Sequence, residues 1–228
     1  MTVTPKTYTG CPRKHAARET TIIDVYKQLI GSSLPEDKQY WSMCALCADK
    51  NGIVEDSELD QVVKAGLIKP HQFYGVDSDE DISRSNEQYK VAKWRNSEFL
   101  TAMKVAQEEG IFNPSIVNAD LINMTSKAAV YAGRILNFLY EHGHTDTMVV
   151  LNVVIKAHNR FSSMEELIEN LCKDSLFRFV WNKKKWRIAG DLAYLYNGTQ
   201  PKKKTNSDAA NPKTVMGTIV FVPNRVQP

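Results

Sequence analysis

Long apolar runs are missing from this chain. The longest, residues 148–155, is interrupted by Asn152. It falls far short of the roughly 20 apolar residues a membrane helix needs, so no membrane association of that kind is expected. Cysteine is sparse as well. Four in 228 residues do not make a disulfide framework, and a reducing, cytoplasmic setting is the expectation. Residues 1–18 are polar and basic with no apolar stretch, which argues against a secretory signal. Net charge is small, +3 from 29 Lys and Arg against 26 Asp and Glu. Such a balance implies no polyanionic partner by itself, so its distribution has to be read instead. Against these absences stand 43% apolar and 24% charged residues, the composition of a folded domain with a sizeable core.

Patterning divides the chain near residue 38. Residues 1–38 read as an N-terminal arm rich in Pro, Gly and basic residues, then a short helix through Ile22, Val25, Tyr26 and Leu29 that Gly31 stops. Residues 39–228 read as one domain. Its first stretch, 39–47, is apolar and fits either a buried strand or a helical turn. Asn51-Gly52 signals a turn, and Asp56 or Ser57 opens a helix carrying Leu59, Val62, Val63 and Leu67. Residues 72–77 form the clearest strand, and 115–120 form a second brief one; both end in an acid. Helices are expected from near Asp79, over 97–109, and from Ser126 to Gly143. Residues 148–156 read as a fully buried strand. Ser162 and Ser163, three residues before Glu165 and Glu166, open a helix to Cys172. Beyond Leu176 the pattern turns to strands at 177–181, 186–189, 192–196 and 214–222, with a polar, Lys-rich loop at 199–211.

Strands alternating with helices, then strands alone, argue for an α/β domain. The expected form is a three-layer Rossmann-like domain, its sheet mostly parallel with antiparallel C-terminal edge strands. Ligands bind such sheets beyond the carboxyl ends of the strands, where Asp77 and Asp120 stand. A carboxylate there accepts both hydroxyls of a ribose, and a second one accepts an adenine amino group. The segment Gly75-Val76-Asp77-Ser78-Asp79-Glu80-Asp81-Ile82, with Asn118-Ala119-Asp120 about forty residues later, resembles the second and third strand ends of class I S-adenosylmethionine-dependent methyltransferases. The order of elements over 39–222 is similar to that family too. The resemblance implies S-adenosylmethionine as cofactor, Asp77 with Ser78 at its ribose, and Asp120 with Leu121 bordering its adenine.

Two stretches depart from the family pattern. The family's first strand runs into a Gly-rich loop, because glycine lets the backbone approach the methionine part of the cofactor. Here Cys44-Ala45-Leu46-Cys47-Ala48-Asp49-Lys50-Asn51-Gly52 holds a single glycine. After the fourth strand, DNA amino-methyltransferases carry an acid or Asn followed by Pro-Pro and an aromatic. Residues 148–156 are the fourth strand in this reading, and Lys156-Ala157-His158-Asn159 follows. The G-x-G-x-x-G of a nicotinamide or flavin site is absent as well.

Other residues invite chemistry and each has a plainer reading. His158, just past a buried strand, suits a general base or an exposed structural position. His142 and His144 flank Gly143 at a helix end, where imidazolium favours the negative dipole end. Cys44 and Cys47 with Cys11 and His15 would complete a Cys3His zinc set, or are buried core thiols. Asp77, Asp79 and Asp81 would hold magnesium if their carboxylates converge.

Charge is uneven. Residues 53–87 hold nine acids against three bases, and residues 172–204 hold nine Lys and Arg against two acids. The basic part includes Arg178, Lys183, Lys184, Lys185 and Arg187, interleaved with Phe177, Phe179, Trp181 and Trp186. Phosphates attract such cations and unpaired bases stack on exposed rings; a hairpin with a lysine-rich turn is the plainer form. Two functions follow. One is a methyltransferase-like protein acting on or with nucleic acid. The other is a non-catalytic nucleic-acid-binding or assembly subunit that keeps the fold.

Overall fold

Alternation along one short strand sets the two faces of the molecule. The computed structural model describes residues 12–155, 164–189, 195–197 and 215–224, with backbone alone at 12–14, 121–128, 153–155, 164, 195–197 and 215–217. In β1 (Gln39–Met43), Tyr40 and Ser42 face one side of the sheet and Trp41 and Met43 the other. A two-residue hairpin, β2 (Ala48–Asp49) and β3 (Gly52–Ile53), follows. The strand β4 (Phe73–Asp77) pairs in parallel with one side of β1, and β5 (Lys93–Asn96) extends the sheet beyond it. On the other side lie β6 (Pro114–Met124) and then β7 (Met148–Ile155), again parallel. The near-continuous apolar run of β7 suits a strand covered on both faces. The closing strand β10 (Val215–Pro223) runs antiparallel to β7 and pairs with β8 (Trp186–Ile188) and β9 (Leu195–Asn197). The order is β5-β4-β1-β6-β7-β10-β8. This is the expected Rossmann-like α/β sheet with its antiparallel edge.

Helices cover both faces. One core joins Ile22, Ile23 and Tyr26 to Tyr40, Ile116 and Val150. α1 (Pro12–Arg18) leads into a π-helical turn (Glu19–Ile23), which with α2 (Asp24–Leu29) and α3 (Glu58–Lys64) forms the helical side of this core. Ser57 caps α3 by accepting from Asp60 N–H, which sets Leu59 and Val62 against the sheet. Ala17, Thr21, Ile22, Ile23, Val25 and Tyr26 are buried, so the core reaches back to Ala17, into the stretch that reads as a loose arm. At the edge, α4 (Glu80–Asn86) links β4 to β5 and is capped by Asp79. The opposite core joins Trp41, Val117 and Leu151 to α5 (Phe99–Glu108), α6 (Thr125–Glu141), α7 (Met164–Leu171) and α8 (Ser175–Trp181).

Three elements differ from the sequence expectation, one of them β6, which runs four residues past Asp120 to Met124 and so does not end at the acid. Residues 177–181 are helical, where alternation suggests a strand. Asp174 accepts the Phe177 N–H at 2.8 Å and starts α8. Phe177 and Trp181 then stack on one helical face at 5.9 Å, while Phe179 turns out and is 49% exposed. The strand β5 has no counterpart in the sequence reading. It is a short sheet edge with no fully buried residue, so its pattern Lys-Trp-Arg-Asn carries little apolar signal.

The α6–α8 contact makes a test. A Cβ on Gly133 would stand 2.7 Å from the Phe177 backbone nitrogen and 3.0 Å from Asp174 Oδ1. In an open helix, Gly→Ala gains about 1 kcal/mol of propensity. Here the clash is with backbone, and overpacking costs about 1–3 kcal/mol. Gly133→Ala is therefore expected to lower the urea midpoint at unchanged m-value; a raised midpoint would mean that α8 gives way freely.

Candidate functional site

From β1 the chain steps outward through β4 and β5, then returns through β6 on the other side of β1 and continues to β7. Connections diverge at the β1/β6 boundary, and in open α/β sheets such a switch point forms the ligand crevice at the carboxyl ends. Its rim is the segment after Met43, the β4 end at Asp77, the β5 end at Asn96, and β6 at Asp120 and Leu121.

Asp77 is half-buried on this rim. Its Oδ1 accepts the Asp79 N–H at 2.8 Å. Its carbonyl accepts from Ser83 Oγ at 3.0 Å and from the Ser97 N–H at 3.1 Å. Those bonds tie together the end of β4, the start of α4 and the end of β5. Burial pushes the Asp77 carboxyl above its ordinary range, the Asp79 N–H opposes this, and the Asp79 charge adds to it. Ser78 is exposed beside it.

Asp120 takes a different place from the one expected. Because β5 intervenes as the third parallel strand, Asp120 belongs to the fourth, and it lies across β1 from Asp77. The strand adjacent to Asp77 ends instead at Asn96. The counterpart of that stretch therefore lies in β6, where Asp120 and Leu121 still pair with Asn152 and Val153 of β7, and residues 156–159 follow the fifth strand. An acid stands there without Pro-Pro and an aromatic.

The turn after β1 is fixed from several sides. The Cys44 N–H donates to Val76 O at 3.2 Å, and the Cys47 and Ala48 N–H groups both donate to Asn86 Oδ1 at 2.9 Å. Asn86 Nδ2 reaches back to Ala45 O at 3.3 Å. Cys44, Leu46 and Cys47 are buried. A hydrogen bond with the Cys47 thiol, and then burial, raises the Cys44 thiol well above its ordinary value. A Cβ on Gly75 would stand 2.4 Å from the Trp94 ring and 2.7 Å from Cys44 Sγ, so that space is already filled. These observations bear on an adenosyl cofactor. The half-buried Asp77 carboxylate fits its ribose. The turn does not fit as a backbone cradle for its amino-acid end, because three of its N–H groups are committed within the protein.

Below the crevice lies a buried polar cluster that the sequence reading missed. Glu58, at the first position of α3, accepts at Oε1 from Ser42 Oγ at 2.6 Å, Asn118 Nδ2 at 2.8 Å and Tyr40 OH at 2.9 Å. Its Oε2 pairs with Arg18 Nε at 3.4 Å. The chain of bonds continues from Asn118 to Asn152 at 3.1 Å and on to Thr218 at 2.8 Å. Desolvation opposes the Arg18 charge, but the Glu58, Tyr40, Cys47 and Asp120 fields outweigh it and hold the group above its ordinary value. Burial and the Glu58 carboxylate push the Tyr40 hydroxyl well up. The available signal was an acid on the same helical stripe as Leu59 and Val62.

Arg178, Lys183, Lys184, Lys185 and Arg187 are all exposed, on α8, its following turn and β8. Lys183 Nζ lies over the Phe179 ring at 4.4 Å and the Tyr140 ring at 5.8 Å. The turn precedes β8, whose first residue pairs with Pro223 and donates its indole N–H to Thr147 O, just before β7. It therefore sits at the amino ends of the parallel strands. The crevice is a strand length away, about 25 Å over β7. His142 and His144 also lie at that end, where the His144 N–H closes α6 on Leu139 O at 2.8 Å. His158 and Cys11 lie outside the described residues. Among the described residues no three His, Cys, Asp or Glu side chains stand together to hold a metal. Asp79 is occupied capping α4 and Asp81 faces Arg84 at 3.7 Å. No helix among the described residues is long and apolar enough to cross a membrane.

No family model and no curated protein matches the chain. Solved structures of similar shape include a TehB-like SAM-dependent methyltransferase from Corynebacterium glutamicum. It shares 10% identity over 83% of this chain and 82% of that one, at a TM-score of 0.39. LepI in complex with SAM shares 11% identity over 87% of this chain and 46% of that one, at 0.45; the chain spans less than half of LepI. A fibrillarin/Nop5p complex shares 13% over 83% and 74%, at 0.38.

Two substitutions probe this geometry. Glu58→Ala leaves Arg18 and three donors facing a void, and breaking a buried pair this way costs about 3–5 kcal/mol. Chemical denaturation should show that loss. For Asp77, a folded-state pKa raised above the unfolded value gives stability that is complete below the unfolded pKa and lost as pH rises through the raised one. Asp77→Asn removes the desolvated charge and keeps the oxygen that accepts from Asp79. Its unfolding midpoint at pH 7 should match or exceed wild type, and its stability should fall less between pH 4 and 7. A less stable variant at pH 7 would show that the charge itself holds the rim together.

Proposed function

We propose that this chain is a methyltransferase-type domain that binds S-adenosylmethionine in the switch-point crevice and works with nucleic acid. The observation that carries the reading is the half-buried Asp77 carboxylate at the end of β4, beside β1. It would accept the ribose hydroxyls, with Ser78 adjoining. Asp120 and Leu121 would border the ligand from the opposite wall of the crevice. When bound, the cofactor supplies an electrophilic methyl group. Lys183, Lys184, Lys185, Arg178 and Arg187 would hold nucleic-acid phosphates at the far end of the sheet.

A second reading is favoured by one specific observation. The turn after β1 is tied down by Asn86 and Val76, which suits a binding subunit that keeps the fold without catalysis. The two readings separate by calorimetry with S-adenosylmethionine and S-adenosylhomocysteine. Binding of either supports the first, and silence with both supports the second.

Each charge-assisted bond from a ribose hydroxyl is worth about 1.5–3 kcal/mol. Asp77→Ala should therefore weaken S-adenosylhomocysteine binding by about 10- to 100-fold. Equal affinity would make the strand end purely structural. Replacing Lys183, Lys184 and Lys185 together by Ala should make the slope of log affinity against log salt shallower by about 2–3 on duplex and single strand alike. An unchanged slope on both would reduce the lysines to a solvated turn.

A further inference from the structure

We infer that Arg18 recognises the carboxylate of an α-amino-acid tail on the crevice ligand, in place of the glycine backbone that the turn after β1 lacks. The inference rests on the adenosyl reading and adds which part of the ligand is read, and by what.

A ligand with such a tail brings a carboxylate and an ammonium group into a partly dry site, where each needs a partner. Backbone N–H groups are the usual resource for the anion, but those of Cys44, Cys47 and Ala48 already donate to Val76 and Asn86. A side-chain cation would serve in their place. Of the arginines around this rim, Arg84 is tied to Glu80 and Asp81, and Arg95 to Glu109. Arg18 remains, and its position is specific. Its partner Glu58 is bonded to Ser42 on β1 and to Asn118 on β6, two residues that pair directly across the switch-point boundary. Arg18 thus stands over the very pair of strands whose divergence opens the crevice.

Its chemistry fits the task. Among the described residues Glu58 is its one ion-pair partner, meeting Nε at 3.4 Å. A guanidinium presents five donors in a planar fork, so an edge remains for a carboxylate. The side chain is 18% exposed, buried enough to be held and open enough to be reached. It lies at the entry to the π-helical turn, a distortion frequent at functional sites. Thr21 Oγ1 bonds Ala17 O at 2.6 Å across this junction, and both residues are buried. Glu58 contacts Arg18 directly, and the Asp120 charge acts on it more weakly. A cation already paired with an acid disfavours a simple anion and suits a zwitterion, whose ammonium adds a charge of the other sign.

The test compares S-adenosylhomocysteine, which carries the zwitterionic tail, with methylthioadenosine, which lacks it. Calorimetry on wild type should show the tailed ligand bound about 10- to 100-fold more tightly. Arg18→Gln should bring the two ligands to within about twofold of each other while leaving methylthioadenosine affinity unchanged. Arg18→Lys should retain part of the preference. Should Arg18→Gln fail to fold, the double variant Arg18→Met, Glu58→Gln keeps the volume and the acceptor for Tyr40, Ser42 and Asn118, and it is expected to show the same loss of preference. A preference that persists in a folded Arg18 variant, or an equal loss for both ligands, overturns the inference alone. Wild type binding neither ligand overturns the adenosyl reading and this inference together.

Discussion

The Glu58 carboxylate is the group around which this fold is tied. It lies at the start of α3, takes hydrogen bonds from β1 and β6, and pairs with Arg18 at the end of α1. Four elements distant in sequence therefore meet at one side chain. A buried charge is tolerated only when its lone pairs and its charge are both answered, and here both are. The cluster is a poor source of net stability compared with an apolar equivalent. What it supplies is position: Ser42 and Asn118 are held in register at the boundary where the sheet changes direction, and the N-terminal helix is fixed above them.

Much of the architecture was legible in the sequence because burial there follows simple periods. Phe73-Tyr74-Gly75-Val76-Asp77 and residues 148–155 read as strands, the helices after Ser57 and Asp79 read from their caps, and α6 reads from its apolar stripe although it begins at Thr125, ahead of the expected cap at Ser126. What escaped did so for physical reasons. The edge strand β5 buries no full side chain, so its sequence resembles a loop. Missing it displaced the strand count and put Asp120, which lies within the fourth parallel strand, at the end of a third. In α8, Phe177, Phe179 and Trp181 alternate like a strand, yet Asp174 supplies a cap that outweighs the alternation. The site was legible only in part. Asp77 reads from a strand end, whereas Arg18 and Glu58 lie forty residues apart and meet only in the folded chain.

The position of the basic surface constrains how any two-part function is organised. The lysine turn precedes β8 at the amino ends of the strands, and the crevice opens at their carboxyl ends. A polyanion lying on the turn is about 25 Å from the crevice, so the two surfaces are chemically separate. Coupling between them would have to pass along the sheet or be supplied by a nucleic acid long enough to wrap around the domain.

Asn86 fastens the turn after β1 to α4, and this has a consequence for how a ligand arrives. For a ligand of this crevice, a wall tied in this way would need little further ordering on binding. Immobilising a side chain at an interface typically costs about 0.5–1.5 kcal/mol, and a wall held in advance avoids such costs. Association should then proceed at a rate set by encounter and orientation, with little contribution from loop closure. Differences in affinity among related ligands will lie in how long each stays.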